Sequence, residues 1–216
     1  MMPTLRIGWV AVRELLYEKV FYLLAAFALM ALATSALLGN LTYVEQQKLT
    51  LDFLLAGIQI SMLLFAIFMG ISLFQRELNL GSVAMVLSKP ISRSSFLLGK
   101  YLGQIFVQTL VTIAMGGLTA LICRSSEEPI SYLALSQTII MILFEVYVVT
   151  AFAYFFAVNA GPITAVLATL CFFLFGHYRE SASKAVSEGA GETVWAILKN
   201  AIPNLEIFNM KTLASY

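Results

Sequence analysis

Few side chains in this sequence can do chemistry, and their spacing decides which chemistry is open to them. Glu145 stands alone between the apolar runs 139–144 and 146–149. A carboxylate in such a stretch costs several kcal/mol unless it is paired or protonated. It must therefore face protein or water, either as a gating or substrate-facing group or as a structural hydrogen-bond partner of Gln59, Gln108 or Gln137. His177 is the sole histidine. With no second His or Cys close in sequence, it reads as a polar end-cap rather than a metal ligand. Cys123 and Cys171 belong to no Cys-x-x-Cys pair or Cys/His cluster, so neither a disulfide framework nor a zinc site is expected. Gly-x-x-x-x-Gly-Lys-Ser/Thr is absent, which leaves no loop to cradle a nucleotide. His-Glu-x-x-His is absent too, and one glutamate is too little for an intramembrane protease or lipid-modifying enzyme. No catalytic residue, metal or directly bound cofactor is assigned.

The elements that must position these groups follow from composition. Of 216 residues, 60% are hydrophobic and 12% charged, against roughly 45–50% and about 25% in an average soluble domain. Mean hydropathy is +0.88. With 13 Lys+Arg against 12 Asp+Glu, no basic surface is available to neutralise a phosphate backbone, which argues against nucleic-acid binding. The reading is an all-α polytopic membrane protein forming one domain over 1–216. Residues 4–19 place Leu5, Trp9, Val12 and Leu16 on one side and Arg6 and Arg13 on the other, an amphipathic helix for the membrane interface. Five spans follow at 20–38, 53–74, 96–122, 132–158 and 162–176. The last, at about 22 Å of helix, needs its flanks or a thinned bilayer to cross. The basic start is not read as a signal peptide, because 20–38 is longer than a signal h-region and Glu14 and Glu18 precede it.

Basic residues orient the chain. With the N-terminus in the cytoplasm, the inner segments hold Arg6, Arg13, Lys19, Arg76, Lys89, Arg93 and Lys100, whereas the first two outer loops hold only Lys48 and Arg124. Asn159-Ala160-Gly161-Pro162 is too short for anything but a tight reversal, with Pro162 suited to a first helical turn. Residues 178–216 are then an outer segment: a polar loop followed by an amphipathic helix over 192–201. Small residues of the first span, and Gly116 and Gly117 of the third, suit close helix packing. The phenylalanines of the last two spans read as core or lipid-facing fill.

The longest inner connection, QRELNLGSVAMVLSKPISRSS over 75–95, is patterned. Residues 77–88 make about three helical turns with Leu80, Val83, Ala84 and Leu87 on one side. Lys89 before Pro90 must leave the helical region, and Ser92 can cap the next helix. A short helix is thereby tied between two spans and can transmit a push.

Arg76-Glu77, Gly81-Ser82, Leu87 to Arg93 and Phe96 to Gly103 together resemble the permease subunits of type-2 ATP-binding-cassette (ABC) exporters, especially the permease of the nitrous-oxide-reductase maturation system. Weaker echoes are Glu145, Gly176-His177 and Ile202 to Asn209. The resemblance implies that 77–88 is a coupling helix docking on a separate ABC ATPase subunit. Arg76, Glu77, Leu80, Gly81, Val83, Leu87, Lys89 and Arg93 would form that interface. It further implies two ATPase copies carrying ATP–Mg, a second permease copy or a similar permease, and location in the inner (cytoplasmic) membrane. The family has six spans, so either a sixth helix follows the visible five or the sixth is absent and the C-terminus is outside; the first is the expectation. One rival reading is a mechanotransmitting subunit that moves no substrate and acts on an extracytoplasmic protein through 178–216.

Overall fold

A computed structural model describes residues 2–19, 21–22, 25–26, 28–30, 33, 46–79, 92–124 and 131–177. Five helices organise them: α1 (Met2–Tyr17), α2 (Gln46–Asn79), α3 (Arg93–Arg124), α4 (Tyr132–Asn159) and α5 (Pro162–His177). The described positions among 19, 21–22, 25–26, 28–30 and 33 are also helical, and no strand occurs among the described residues. In a bilayer each backbone N–H and C=O must be satisfied within its own segment, which leaves the helix as the solution for such sequences.

Among the described residues, three helices carry apolar windows long enough to cross a membrane: Thr50–Leu73, Ser94–Arg124 and Tyr132–Asn159. The 16 residues of α5 give about 24 Å, short of the roughly 30 Å hydrocarbon thickness. The expected first span, 20–38, falls largely outside the described residues, as do 80–91 and 178–216. Of the expected 77–88 helix, only 77–79 are described, and there they are the last residues of α2.

α2 is the axis of the bundle. It packs against all four other helices, and 72% of its apolar window is buried, against 33% for α3 and 39% for α4. Leu54, Leu55, Ile58, Met62, Ala66 and Met69 have essentially no exposure. The outer helices instead turn one side outward, as Leu102, Phe106, Leu110 and Ile113 do on α3.

Caps define the helix ends. The Ser95 amide donates to Ser92 Oγ at 3.2 Å, so Ser92 caps α3 as its position before the apolar run suggests. Ser131 caps α4 through the Ala134 amide. The α4–α5 reversal takes only Ala160 and Gly161: the Ala160 N–H closes on Phe156 O at 2.8 Å and the Ala165 N–H on Gly161 O at 2.9 Å.

α1 is not an isolated surface helix. It runs beside the first half of α3 in the same direction, with Gly8 over Gly99 and Gly103. A Cβ on Gly103 would lie 2.6 Å from the Gly8 carbonyl oxygen, and one on Gly99 would lie 2.8 Å from that of Thr4. Only glycine permits this backbone approach, the small-xxx-small device of membrane helices. The packed side of α1 is therefore Gly8, Ala11 and Leu15, while Trp9 and Leu16 of the expected apolar stripe stay 57% and 42% exposed. Gly116 meets Ile139 closely as expected, whereas Gly117 has open space beside it.

Candidate functional site

The interior is crossed by a line of polar side chains that apolar periodicity alone does not announce. On α3, Lys100, Gln104, Gln108 and Thr112 recur every four residues, so they share one side of the helix. None is more than 2% exposed. Each must find a partner or leave a costly orphan.

Gln104 donates to the Ala66 carbonyl of α2 at 3.2 Å. Gln108 Nε2 donates to the Thr150 hydroxyl of α4 at 2.9 Å, and that hydroxyl donates its one proton to Val146 O at 2.7 Å. Alongside, the Tyr101 hydroxyl donates to Tyr147 O at 3.1 Å, and the hydroxyls of Thr109 and Tyr147 bond each other. Lys100 closes the line by donating to Glu14 of α1 at 2.8 Å.

The far part of this interior holds Glu145, 1% exposed. Gln59 of α2 donates to its Oε2 at 2.7 Å, so one of the three glutamines expected as partners is the one used. Gln108 is committed to Thr150, and Gln137 is exposed. The other oxygen, Oε1, accepts no hydrogen bond among the described residues. It lies 3.7 Å from Nδ1 of His177, and the His177 ring stacks on Phe173 with centroids 5.6 Å apart.

His177 is thus part of the Glu145 site as well as the last residue of its helix. The signal was present in the sequence. Glu145 precedes the two-residue reversal by about fifteen positions and His177 follows it by about the same number, so both sit roughly 22 Å along antiparallel helices from one turn. Counting from the turn finds the pair, whereas looking for sequence neighbours of His177 does not. Gln59, Glu145 and His177 bring α2, α4 and α5 together at one point.

The chemistry open to this arrangement follows from its donors. Gln59 is a neutral amide, and imidazole is cationic only when protonated. Among the described residues, these are the two polar side chains set beside the Glu145 carboxylate. Glu145 and His177 can hold a proton and hand it between Oε1 and Nδ1 if the gap closes. Among the described residues no three His, Cys, Asp or Glu side chains converge as a metal site.

Of the expected ATPase-contacting residues, Leu80, Gly81, Val83, Leu87 and Lys89 lie outside the described residues, and for Arg76, Glu77 and Arg93 only the backbone is described. Arg76 and Glu77 continue α2 beyond its apolar window, and Arg93 is the first residue of α3.

No curated protein matches the chain significantly. The family model described as ABC-2 family transporter protein matches residues 12–177. That range is well over half of the chain, and it runs from the second half of α1, through the polar interior, to His177. Together with the membrane-length helices, this match establishes that the chain belongs to the ABC-2 transporter family as an integral membrane permease component.

Proposed function

We propose that this permease is one transmembrane half of an ABC exporter, with its N-terminus in the cytoplasm, driven by ATP–Mg hydrolysis on two separate ATPase subunits. A second copy, or a similar permease, completes the membrane portion. The nitrous-oxide-reductase maturation permeases are the subgroup it resembles in sequence.

The observation that supports this reading is the continuity of α2. Its apolar window ends at Leu73, yet the helix continues to Asn79. Arg76 and Glu77 therefore ride on a helical extension of the most buried of the three described membrane-length helices. On the far side of the 80–91 connection, α3 starts directly at the Ser92 cap. Both ends of the connection are tied to helices lined by the buried polar groups, so displacement there is transmitted into the interior.

The connection supplies the rest through its residue types. Leu80, Val83 and Leu87 provide apolar contact with the ATPase, Gly81 allows close approach, and Arg76, Glu77, Lys89 and Arg93 orient the docking by charge. Val83→Asp would bury an unpaired charge there, at a cost of about 3 kcal/mol. The permease should still insert while the ATPase no longer co-purifies or is no longer coupled. Normal co-purification with normal activity would overturn the assignment. Substrate-dependent flux in vesicles holding the assembled complex then separates export from mechanotransmission, which shares the same coupling parts.

A further inference from the structure

We propose that the outward side of α1 binds an anionic phospholipid, its phosphate held by Arg6 and Arg13 and one acyl chain lying in the groove between α1 and α3. Arg6, Trp9 and Arg13 are spaced by three and four residues, so Trp9 lies beside the arginines at the edge of the expected apolar stripe rather than across the helix from them. The arginine side is opposite the Gly8, Ala11 and Leu15 surface that packs on α3. Both arginines are exposed. No carboxylate pairs with either among the described residues, because Glu14 is committed to Lys100. Two exposed cations on a helix packed against the bundle define the charge of the occupant.

The groove defines its shape. It has a volume of about 220 Å³ and is walled by Trp9 and Val12 of α1 and by Leu102 and Phe106 of α3. Its floor is Gly8 and Gly103, whose missing side chains let the two backbones close against each other beneath it. Trp9 joins the two halves of the site. Its ring forms one wall of the groove and also carries the Arg13 guanidinium 5.8 Å from its centroid. An indole at that boundary suits a molecule with an apolar body and a polar head. Each basic side chain near an anionic lipid surface contributes roughly a fivefold preference, which fades within a Debye length. A zwitterionic lipid could fill the groove, but its ammonium would offset what the arginines gain from its phosphate.

The sequence provides its own probe, since Trp9 and Trp195 are the two tryptophans. Trp195→Phe leaves Trp9 as the sole indole. This variant is reconstituted in phosphatidylcholine vesicles in which a minor share of the lipid carries brominated acyl chains, as phosphatidylglycerol in one sample and phosphatidylcholine in the other. Bromine quenches an indole only on contact, so Trp9 fluorescence should fall several-fold more with brominated phosphatidylglycerol. Arg6→Gln with Arg13→Gln should equalise the two lipids. Leu102→Phe, which fills the groove without altering charge, should weaken quenching by the anionic lipid. If Trp195→Phe inserts poorly, the difference between the parent chain and Trp9→Phe gives the same reading. Equal quenching by both lipids, no quenching by either, or a preference that survives loss of both arginines would each overturn the proposal. So would a preference unchanged by Leu102→Phe, since the lipid would then lie outside the groove.

Discussion

Lys100 and Glu145 are equally hidden, 2% and 1% exposed, yet the protein treats their charges in opposite ways. Lys100 meets a charge of opposite sign at 2.8 Å on Glu14, whose side chain is 41% exposed. It also lies over the Phe96 ring, 5.7 Å from the centroid. Water reaches one member of that pair, so the pair keeps part of its solvation while the lysine stem is buried. Glu145 has a neutral amide on one oxygen and, on the other side, a histidine at 3.7 Å. Among the described residues, the cation beside it exists only when that histidine is protonated. The first arrangement fixes α1 onto α3 in one state, whereas the second can exist in two.

The largest effect expected from breaking this contrast is at Gly103. A leucine there would drive its Cβ into the Gly8 carbonyl oxygen, already only 2.6 Å away. It would push α1 off α3 and break the Lys100–Glu14 ion pair, destabilising by about 3 kcal/mol. Thermal unfolding of the purified chain in detergent reads this directly, and an unchanged midpoint would refute the backbone contact.

Next comes Glu14→Gln, which keeps the shape and removes the countercharge of Lys100. A loss of about 2 kcal/mol is expected, less than for a fully buried pair because Glu14 is partly in water. Adding Lys100→Met should recover much of it, and a double-mutant cycle showing no coupling would mean that the ion pair contributes nothing.

The smallest stability change belongs to Glu145→Gln, under about 1 kcal/mol, because an amide still satisfies Gln59 and faces His177 without a charge. Function then sharpens the comparison. If ATP turnover and transport are unchanged, Glu145 is structural like Lys100. If they fall while the unfolding midpoint holds, the conditional charge takes part in the cycle.

These contrasts were unevenly legible in the sequence. Apolar runs bounded by Ser92, Ser131 and Asn159-Ala160-Gly161-Pro162 mark α3, α4 and α5 to within a few residues, since caps and prolines act locally. Gln59 could be named as a partner of Glu145 because a buried carboxylate needs a donor and the spans offer few. Lys100 reads in isolation as a membrane-surface anchor. Its burial depends on α1 lying along α3, which depends in turn on Gly8 meeting Gly99 and Gly103, and such a pairing is a property of two distant segments at once. The four-residue recurrence of Lys100, Gln104, Gln108 and Thr112 is local and readable, but it is masked by the apolar residues between them. His177 required counting outward from the reversal rather than along the chain.

The glycine contact between α1 and α3 has a mechanical consequence. Long α-helices are seldom straight and curve gently along their length. Where Gly8 lies against Gly99 and Gly103 the two backbones touch, and Lys100 and Glu14 clamp the same stretch from the side. Over this stretch the pair behaves as a doubled beam. Torque applied at the start of α3 turns α1 with it, and the swing is delivered further along, where α3 continues alone.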